Sequence, residues 1–374
     1  MKLFDAVRTL FTRKMIIEFD AVEFVCERLS RRRLLNWLLG ELSYFSRSTK
    51  AWAYPTHLQV EPTNQCNLRC PVCFVTNEKN HLRKGSMSRA SFERLMDEVG
   101  DRLLFLHFWG WGEPFLNPEF FNMVRYAKSK GINVITSTNG HFLLDDVRTD
   151  ELLDSGLDVL IVALDGTDRE TYEKYRERGD FDKVIRGLRR LVQRKRERKN
   201  TSLRINLRTL ATIDNEHQIP ALKAMAEDIG VDLYSIKTAA LNCGDETELR
   251  RRIPRTPGYC REHFDADGRP IRQRNRCKRL WNHPFILQDG TLVRCDYNTT
   301  QLVVHGNVFT DPAGFKGVWF GDSLRSARKE FLGDRVLCKD CIRNYAHADE
   351  NVSHIYQIGP RVQAGPGIES CARS

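Results

Sequence analysis

Residues 61–74, EPTNQCNLRCPVCF, set three thiols within eight residues, Cys66-x3-Cys70-x2-Cys73. Three thiolates on one loop can each take one iron of a cubane [4Fe-4S] cluster, because thiolate ligation is the usual way proteins hold such clusters. The loop offers no fourth thiol, so one iron would keep an open site at which something can bind and be reduced. Two plainer readings compete for the same residues. A disulfide with one spare thiol needs an oxidising compartment, and no secretory signal precedes the loop. A zinc site wants four ligands, and His57 and His81 are the only histidines near.

Further along stand Gly110-Trp111-Gly112-Glu113-Pro114, then Thr136-Ser137-Thr138-Asn139-Gly140 at the end of a β-like run, then Leu164-Asp165-Gly166 followed by Tyr172 and Arg176. Any one of these is weak; with the cysteine loop and in this order they are specific. Together they resemble the radical SAM superfamily. The resemblance implies that Cys66, Cys70 and Cys73 hold a [4Fe-4S] cluster whose open iron binds the amino and carboxylate groups of S-adenosylmethionine, which is cleaved to a 5'-deoxyadenosyl radical. It also implies a cofactor cradle made of Val72, Gly112, Glu113, Pro114, Ser137, Asn139 and Arg176. In that cradle the Gly112-Glu113-Pro114 turn meets the methionine ammonium, the Ser137–Asn139 strand end meets the ribose, and Arg176 pairs with the carboxylate. Tryptophan at 111 departs from the family pattern, which has a second glycine there. No residue stands out as the catalytic proton acceptor.

A second group of cysteines follows residue 276: Cys277, Cys295 and the pair Cys338-Lys-Asp-Cys341. Pro284–Leu287 and Thr291–Arg294 flank Asp289-Gly290, a hairpin signature that sets Cys295 just beyond one strand and Cys277 before the other. This tail resembles the SPASM/twitch domain of radical SAM enzymes, which implies an auxiliary [4Fe-4S] cluster on Cys277, Cys295, Cys338 and Cys341; a four-cysteine zinc site has the same spacing. Where a full SPASM domain continues with further cysteines, this chain has His347 and Asn351, so a second auxiliary cluster is not expected. Cys243, Cys260 and Cys371 read as spare thiols.

Something must carry these loops. Strand-like runs at 58–61, 104–108, 134–137, 159–163, 205–208 and 233–236 alternate with helical stretches at 90–101, 117–130, 145–155, 168–176, 181–198 and 215–229. Six β/α units predict a parallel sheet with helices outside, and ligand loops at the strand C-terminal ends. The resemblance narrows the fold to an α/β partial (β/α)6 TIM-like barrel with an N-terminal helical extension and a small C-terminal SPASM/twitch cluster domain. The expected division is 1–54 helical extension, 55–240 barrel, 241–276 basic linker and 277–374 auxiliary domain. On the fifth strand Arg204, Asn206 and Arg208 alternate and so share one face. Unpaired charges facing the helices would be costly, so that face is read as the barrel lining.

At 374 residues the chain exceeds one ordinary core, and 59 basic against 49 acidic side chains give a net +10. That surplus favours acidic partners without implying nucleic acid: the run 186–199, RGLRRLVQRKRERK, reads as a solvated helix face with Val184, Leu188, Leu191 and Val192 inward, and no stacking aromatics accompany it. No apolar run approaches the ~20 residues of a membrane span, and eleven cysteines without a signal peptide point to a reducing cytoplasm. Leu3, Val7, Leu10 and Phe11, then Leu34, Leu35, Trp37 and Leu38 recur at helical spacing around Arg31-Arg32-Arg33. Two or three amphipathic helices follow, suited either to packing on the domain or to peripheral contact with an anionic membrane.

The family resemblance implies an enzyme supplied with electrons by an external donor such as flavodoxin or ferredoxin. A fully thiolate-ligated auxiliary cluster suits taking an electron from a substrate radical, so the leading expectation is an oxidoreductase, a dehydrogenase of a small or lipid-linked metabolite. A peptide- or protein-modifying maturase is the alternative.

Overall fold

The computed structural model describes residues 3–20, 22–76, 83–237, 247, 251–259, 277–296, 302–333 and 352–359. Its centre is a run of six parallel strands, β3 (His57–Val60), β4 (Phe105–His107), β5 (Asn133–Thr138), β6 (Val159–Ala163), β7 (Arg204–Leu210) and β8 (Leu233–Lys237). All six lie where the apolar runs predict. The β6 run VLIVA is apolar throughout because both faces are covered, the usual state of a parallel sheet strand. Leu160 and Val162 pack outward under the helices, while Val159 and Ile161 point inward. Helices α3 (Arg89–Val99), α4 (Phe120–Ser129), α5 (Asp146–Asp154), α6 (Arg169–Tyr175), α7 (Phe181–Glu197) and α8 (Ile219–Ile229) alternate with the strands. Ser88, Asp145, Asp168 and Asp180 start α3, α5, α6 and α7 by accepting a backbone N–H three residues on, each worth about 1 kcal/mol. The result is an α/β partial TIM-like barrel.

The N-terminal extension contains the two expected helices, α1 (Leu3–Thr12) and α2 (Arg31–Phe45). Between them lies a β-hairpin that helical spacing does not anticipate, β1 (Met15–Phe19) paired antiparallel with β2 (Val22–Cys26). MIIEF and VEFVC alternate buried and exposed residues, the period of a half-buried ribbon. Asp20 takes φ of 51° at the turn, a left-handed position that aspartate tolerates. The buried face, Met15, Ile17, Val22 and Phe24, packs with Trp37 onto Leu104, Phe105, Ile135, Val159, Ile161 and Leu233. These are inward residues of the barrel strands, so the hairpin fills the barrel from its strand N-terminal end. Arg204, Asn206 and Arg208 do share the inward face: Arg204 lies over the Phe24 ring, and Arg208 bonds the hairpin's Asp20.

On the other side of β3 the sheet continues without a break. Helix α9 (Arg279–Asn282) leads into β9 (Phe285–Ile286), which runs parallel to β3; β10 (Thr291–Val293) and β11 (Val304–Asn307) follow antiparallel. The β9–β10 hairpin is the one the Asp289-Gly290 signature predicts, and Gly290 supplies the positive φ of 89° at its turn. Helices α10 (Gly314–Phe320) and α11 (Asp322–Leu332) cover this part, and β12 (Val352–Gln357) closes the opposite edge against β8. The order is β11-β10-β9-β3-β4-β5-β6-β7-β8-β12.

Much of the basic face of α7 is ion-paired. Its Val184, Leu188, Leu191 and Val192 are buried as expected, while Arg190, Arg194 and Arg198 meet Asp146, Asp150 and Asp154, one carboxylate per turn of α5. Lys195 pairs with Asp232 and Arg189 with Asp228. Each exposed pair contributes at most about 1 kcal/mol.

Candidate active site

The cysteine loop leaves the C-terminal end of β3, where strand-end chemistry is expected. Cys70 is buried, and Cys66 and Cys73 are partly so. The loop is stitched by Cys73 N–H donating to Cys70 O at 3.1 Å and by Arg69 N–H donating to Glu177 O at 2.9 Å. Leu68 N–H donates to Cys66 Sγ at 3.4 Å, and an Arg176 Nη1–H points at Cys70 Sγ at 3.8 Å. Burial pushes these thiols up, Cys66 to about 11 and Cys73 to about 12, so the metal-free loop is protonated and must release protons to take metal. Among the described residues no three His, Cys, Asp or Glu side chains gather around a single point as one ion requires. Thiols that each serve a different iron of a cluster need not converge so closely. One buried and two partly buried thiols, with a guanidinium at Cys70 and a backbone donor at Cys66, therefore fit an anionic thiolate cluster better than a mononuclear ion.

The other motif loops close around this one. Glu113 is buried and ties three segments together: Oε1 accepts from Phe115 N–H at 3.2 Å and Thr138 Oγ1–H at 2.8 Å, and Oε2 accepts from Asn139 N–H at 2.8 Å. Glu113 N–H in turn donates to Gln65 O at 2.8 Å, one residue before Cys66. Asn139 Nδ2 donates to Asn67 Oδ1 at 2.8 Å. Pro114 opens a short 3-10 turn, and Val72 packs against Tyr175, Leu210 and Ile253. Arg176 is held by Asp165, Nε to Oδ2 at 2.5 Å, with Asp165 fully buried. The residues expected from sequence are thus brought to one end of the barrel. Asn67, Thr138 and Asp165 join them; Thr138 and Asp165 stand inside the quoted motifs and Asn67 inside the quoted cysteine loop, none with a role of its own there.

Gly112 lies so close to the cysteine loop that a Cβ would stand 2.2 Å from Thr63 O and 2.8 Å from Asn64 Cα and Gln65 O. Those neighbours are backbone and cannot rotate away. Gly112→Ala is therefore expected to displace the 63–66 backbone and to cut cluster incorporation at least about tenfold, equivalent to about 1.4 kcal/mol, read as iron per chain after anaerobic reconstitution. Wild-type iron content in the variant would refute the close contact.

Trp111, the departure from the family pattern, has a structural use here. Its ring lies 4.3 Å from Phe74 and 5.1 Å from Phe285, so it joins the cysteine loop to β9. The Trp111 backbone N–H donates to Glu61 Oε1 at 3.0 Å. Glu61 is fully buried, and burial pushes its carboxyl up to about 7, opposed by the N–H groups of Trp111 and Gln288. Because the folded value lies above the unfolded one, the folded state holds the extra proton. Stability is full below about pH 4.5 and falls as pH rises toward 7. In cluster-free protein Glu61→Gln should flatten this slope and recover on the order of 3 kcal/mol at pH 8, read from urea unfolding at pH 5 and pH 8. Parallel wild-type and variant curves would sink the assignment.

In the C-terminal part Arg279 N–H donates to Cys277 Sγ at 3.5 Å, and Arg279 pairs with Asp296 at 2.6 Å. That pair brings the residues next to Cys277 and Cys295 together. Cys338 and Cys341, like His81, His347, Asn351 and the three spare thiols, lie outside the described residues.

Residues 60–225 match the radical SAM superfamily and residues 277–342 the SPASM iron-sulfur cluster-binding domain. The chain is 29% identical over 180 residues to the tungsten-containing aldehyde ferredoxin oxidoreductase cofactor-modifying protein of Pyrococcus furiosus, covering 47% of this chain and 49% of that protein. It is 31% identical over 160 residues to the mycofactocin maturase of Mycobacterium tuberculosis, covering 43% and 40%. The chain thus spans about half the length of these relatives or less. Among solved structures it is similar in fold to Streptococcus suis SuiB bound to its precursor peptide SuiA, with a TM-score of 0.57, 14% identity, and 84% and 76% of the two chains covered.

Proposed function

We propose that this chain, a radical SAM enzyme with a C-terminal SPASM domain, is an oxidoreductase that dehydrogenates a small or lipid-linked metabolite. Cys66, Cys70 and Cys73 would hold the cluster that cleaves S-adenosylmethionine, and Cys277, Cys295, Cys338 and Cys341 an auxiliary cluster. Bound there, these groups would supply the electron for reductive cleavage, the radical that abstracts a substrate hydrogen atom, and an acceptor for the electron left behind. The remaining work belongs to the chain. Glu113 ties the Gly112-Glu113-Pro114 turn to the Ser137–Asn139 strand end, so the two parts of the cradle keep a fixed spacing. Asp165 holds Arg176 against Cys70, ready for the cofactor carboxylate. The inward packing of β1–β2 excludes water from the strand N-terminal end.

The observation that carries the small-substrate reading is that hairpin. A barrel whose lower interior is filled by the chain's own Met15, Ile17, Val22 and Phe24 leaves limited room for a polypeptide. The maturase reading draws its support from the likeness to the mycofactocin maturase and to SuiB. Lipid-linked substrates and peripheral membrane contact draw on exposed Phe11, Leu35, Phe45 and Trp52 in the N-terminal extension; among the described residues no helix is long and apolar enough to cross a membrane.

Deuterium transfer separates these readings. Reconstituted enzyme with reduced flavodoxin and S-adenosylmethionine is given extract of cells grown in deuterated medium, split by ultrafiltration into small molecules and polypeptides. Deuterium in 5'-deoxyadenosine from the small-molecule fraction is the expected result. Deuterium from the polypeptide fraction alone would overturn the reading in favour of a maturase.

A further inference from the structure

Inside the barrel, on the strand faces between the hairpin and the motif loops, three buried side chains have hydrogen-bonding atoms without a partner. His107 is 4% exposed, and neither ring nitrogen is bonded; Asn206 is fully buried with Nδ2 unbonded; Arg208 is 5% exposed with Nη2 unbonded. Buried polar atoms are nearly always paired with protein, water or ligand, and each one left bare costs about 1–3 kcal/mol. Three on one inward face are not explained by packing. Their other atoms are firmly placed. Ser235 Oγ–H donates to Asn206 Oδ1 at 2.9 Å and accepts from Arg208 Nε–H at 3.0 Å, while Arg208 Nη1–H donates to Asp20 Oδ2 at 2.7 Å. The unbonded atoms are therefore the remaining positions of an ordered network.

We propose that His107, Asn206 and Arg208 form the substrate-anchoring site of this barrel and take an uncharged, hydroxyl-bearing substrate. The inference rests on the radical SAM reading above and deepens it. Two observations select the class. Of the three cations that act on His107, Arg208 already holds Asp20, Arg279 already holds Asp296, and Lys237 is exposed at the end of β8, so none is a buried charge that asks for a substrate anion. A neutral imidazole has one donor and one acceptor nitrogen, and burial lowers the His107 proton affinity well below the ordinary histidine value. A carboxylate or phosphate would satisfy the Asn206 and Arg208 donors but leave the imidazole acceptor bare. A hydroxyl both accepts and donates, so hydroxyl groups can complete all three residues. The aromatic neighbours Phe19 and Trp109, in ring contact with His107, give such a group an apolar wall.

The test takes the small-molecule fraction of deuterated cell extract and divides it on anion- and cation-exchange resins. The donor of deuterium to 5'-deoxyadenosine is expected in the neutral flow-through. Recovery only from either resin would overturn the proposal while leaving the small-substrate reading standing; absence of deuterium transfer from every fraction would overturn both, and reductive cleavage of S-adenosylmethionine without it would locate the failure at the substrate. His107→Phe and Asn206→Leu should each raise the amount of neutral fraction needed for half-maximal transfer at least about tenfold. His107→Phe should also unfold at a temperature no lower than wild type, because it removes two bare polar atoms, which a merely structural histidine would not do. Unchanged half-saturation in both variants, with iron content intact, would refute the site.

Discussion

The Cys66/Cys70/Cys73→Ala variant is expected to retain about four of the roughly eight irons that the reconstituted wild-type protein holds, the stoichiometry of one cubane lost and one kept. Reductive cleavage of S-adenosylmethionine should fall to background, on the order of a thousandfold or more, because an electron route is removed and not merely weakened. Iron, sulfide and zinc are measured on the same anaerobic samples, beside 5'-deoxyadenosine formation. Two clusters in the wild type and one in the variant keep the electron-accepting oxidase reading ahead. About four irons falling to none, with zinc retained, would make the C-terminal cysteines structural, remove the internal electron acceptor and favour a redox-neutral radical reaction. The geometry favours the first outcome for the barrel loop: Cys70 is buried beside a guanidinium, Cys66 accepts from a backbone N–H, and among the described residues no three His, Cys, Asp or Glu side chains gather around one point as a single ion requires.

The parts that were legible in the sequence share a physical reason. Strand β6 is apolar on both faces and has no other stable home, and the Asp289-Gly290 turn needs the positive φ that glycine gives. Local constraints of that kind survive in any context. The cysteine spacing and the motif order were equally local. What stayed hidden depends on partners far apart in sequence. Residues 15–26 alternate too briefly to announce a hairpin between two helices, and nothing local says that this hairpin enters the barrel. Asp20 and Arg208 are 188 positions apart, and their pairing exists only after both elements have docked. His107 reads as one more residue of an apolar run, LFLHF, until the fold leaves both its nitrogens bare. The basic run of α7 looked solvated, and its pairing with α5 required knowing that the two helices are neighbours.

The hairpin also yields the largest expected effect on stability. Asp20 and Arg208 are 7% and 6% exposed at their side chains, and they meet at 2.7 Å. Removing one member of a buried pair strands the other charge in a low-dielectric setting, at a cost of about 3–5 kcal/mol. Asp20→Ala should therefore lower the unfolding free energy by that much, whereas a salt bridge at the surface would cost at most about 1 kcal/mol. Replacing both partners, Asp20→Asn with Arg208→Met, keeps a residue that tolerates the left-handed turn, removes both buried charges together and should recover most of the loss, although Ser235 then loses one donor. Urea unfolding of the two single variants and the double gives the coupling directly. If the double costs the sum of the two single variants, the pair is not coupled and the hairpin is held by its apolar face alone. Strong coupling instead means that one ion pair both seats the hairpin and fixes the Arg208 guanidinium, so that docking of the N-terminal segment orients the inward face on which substrate is proposed to bind.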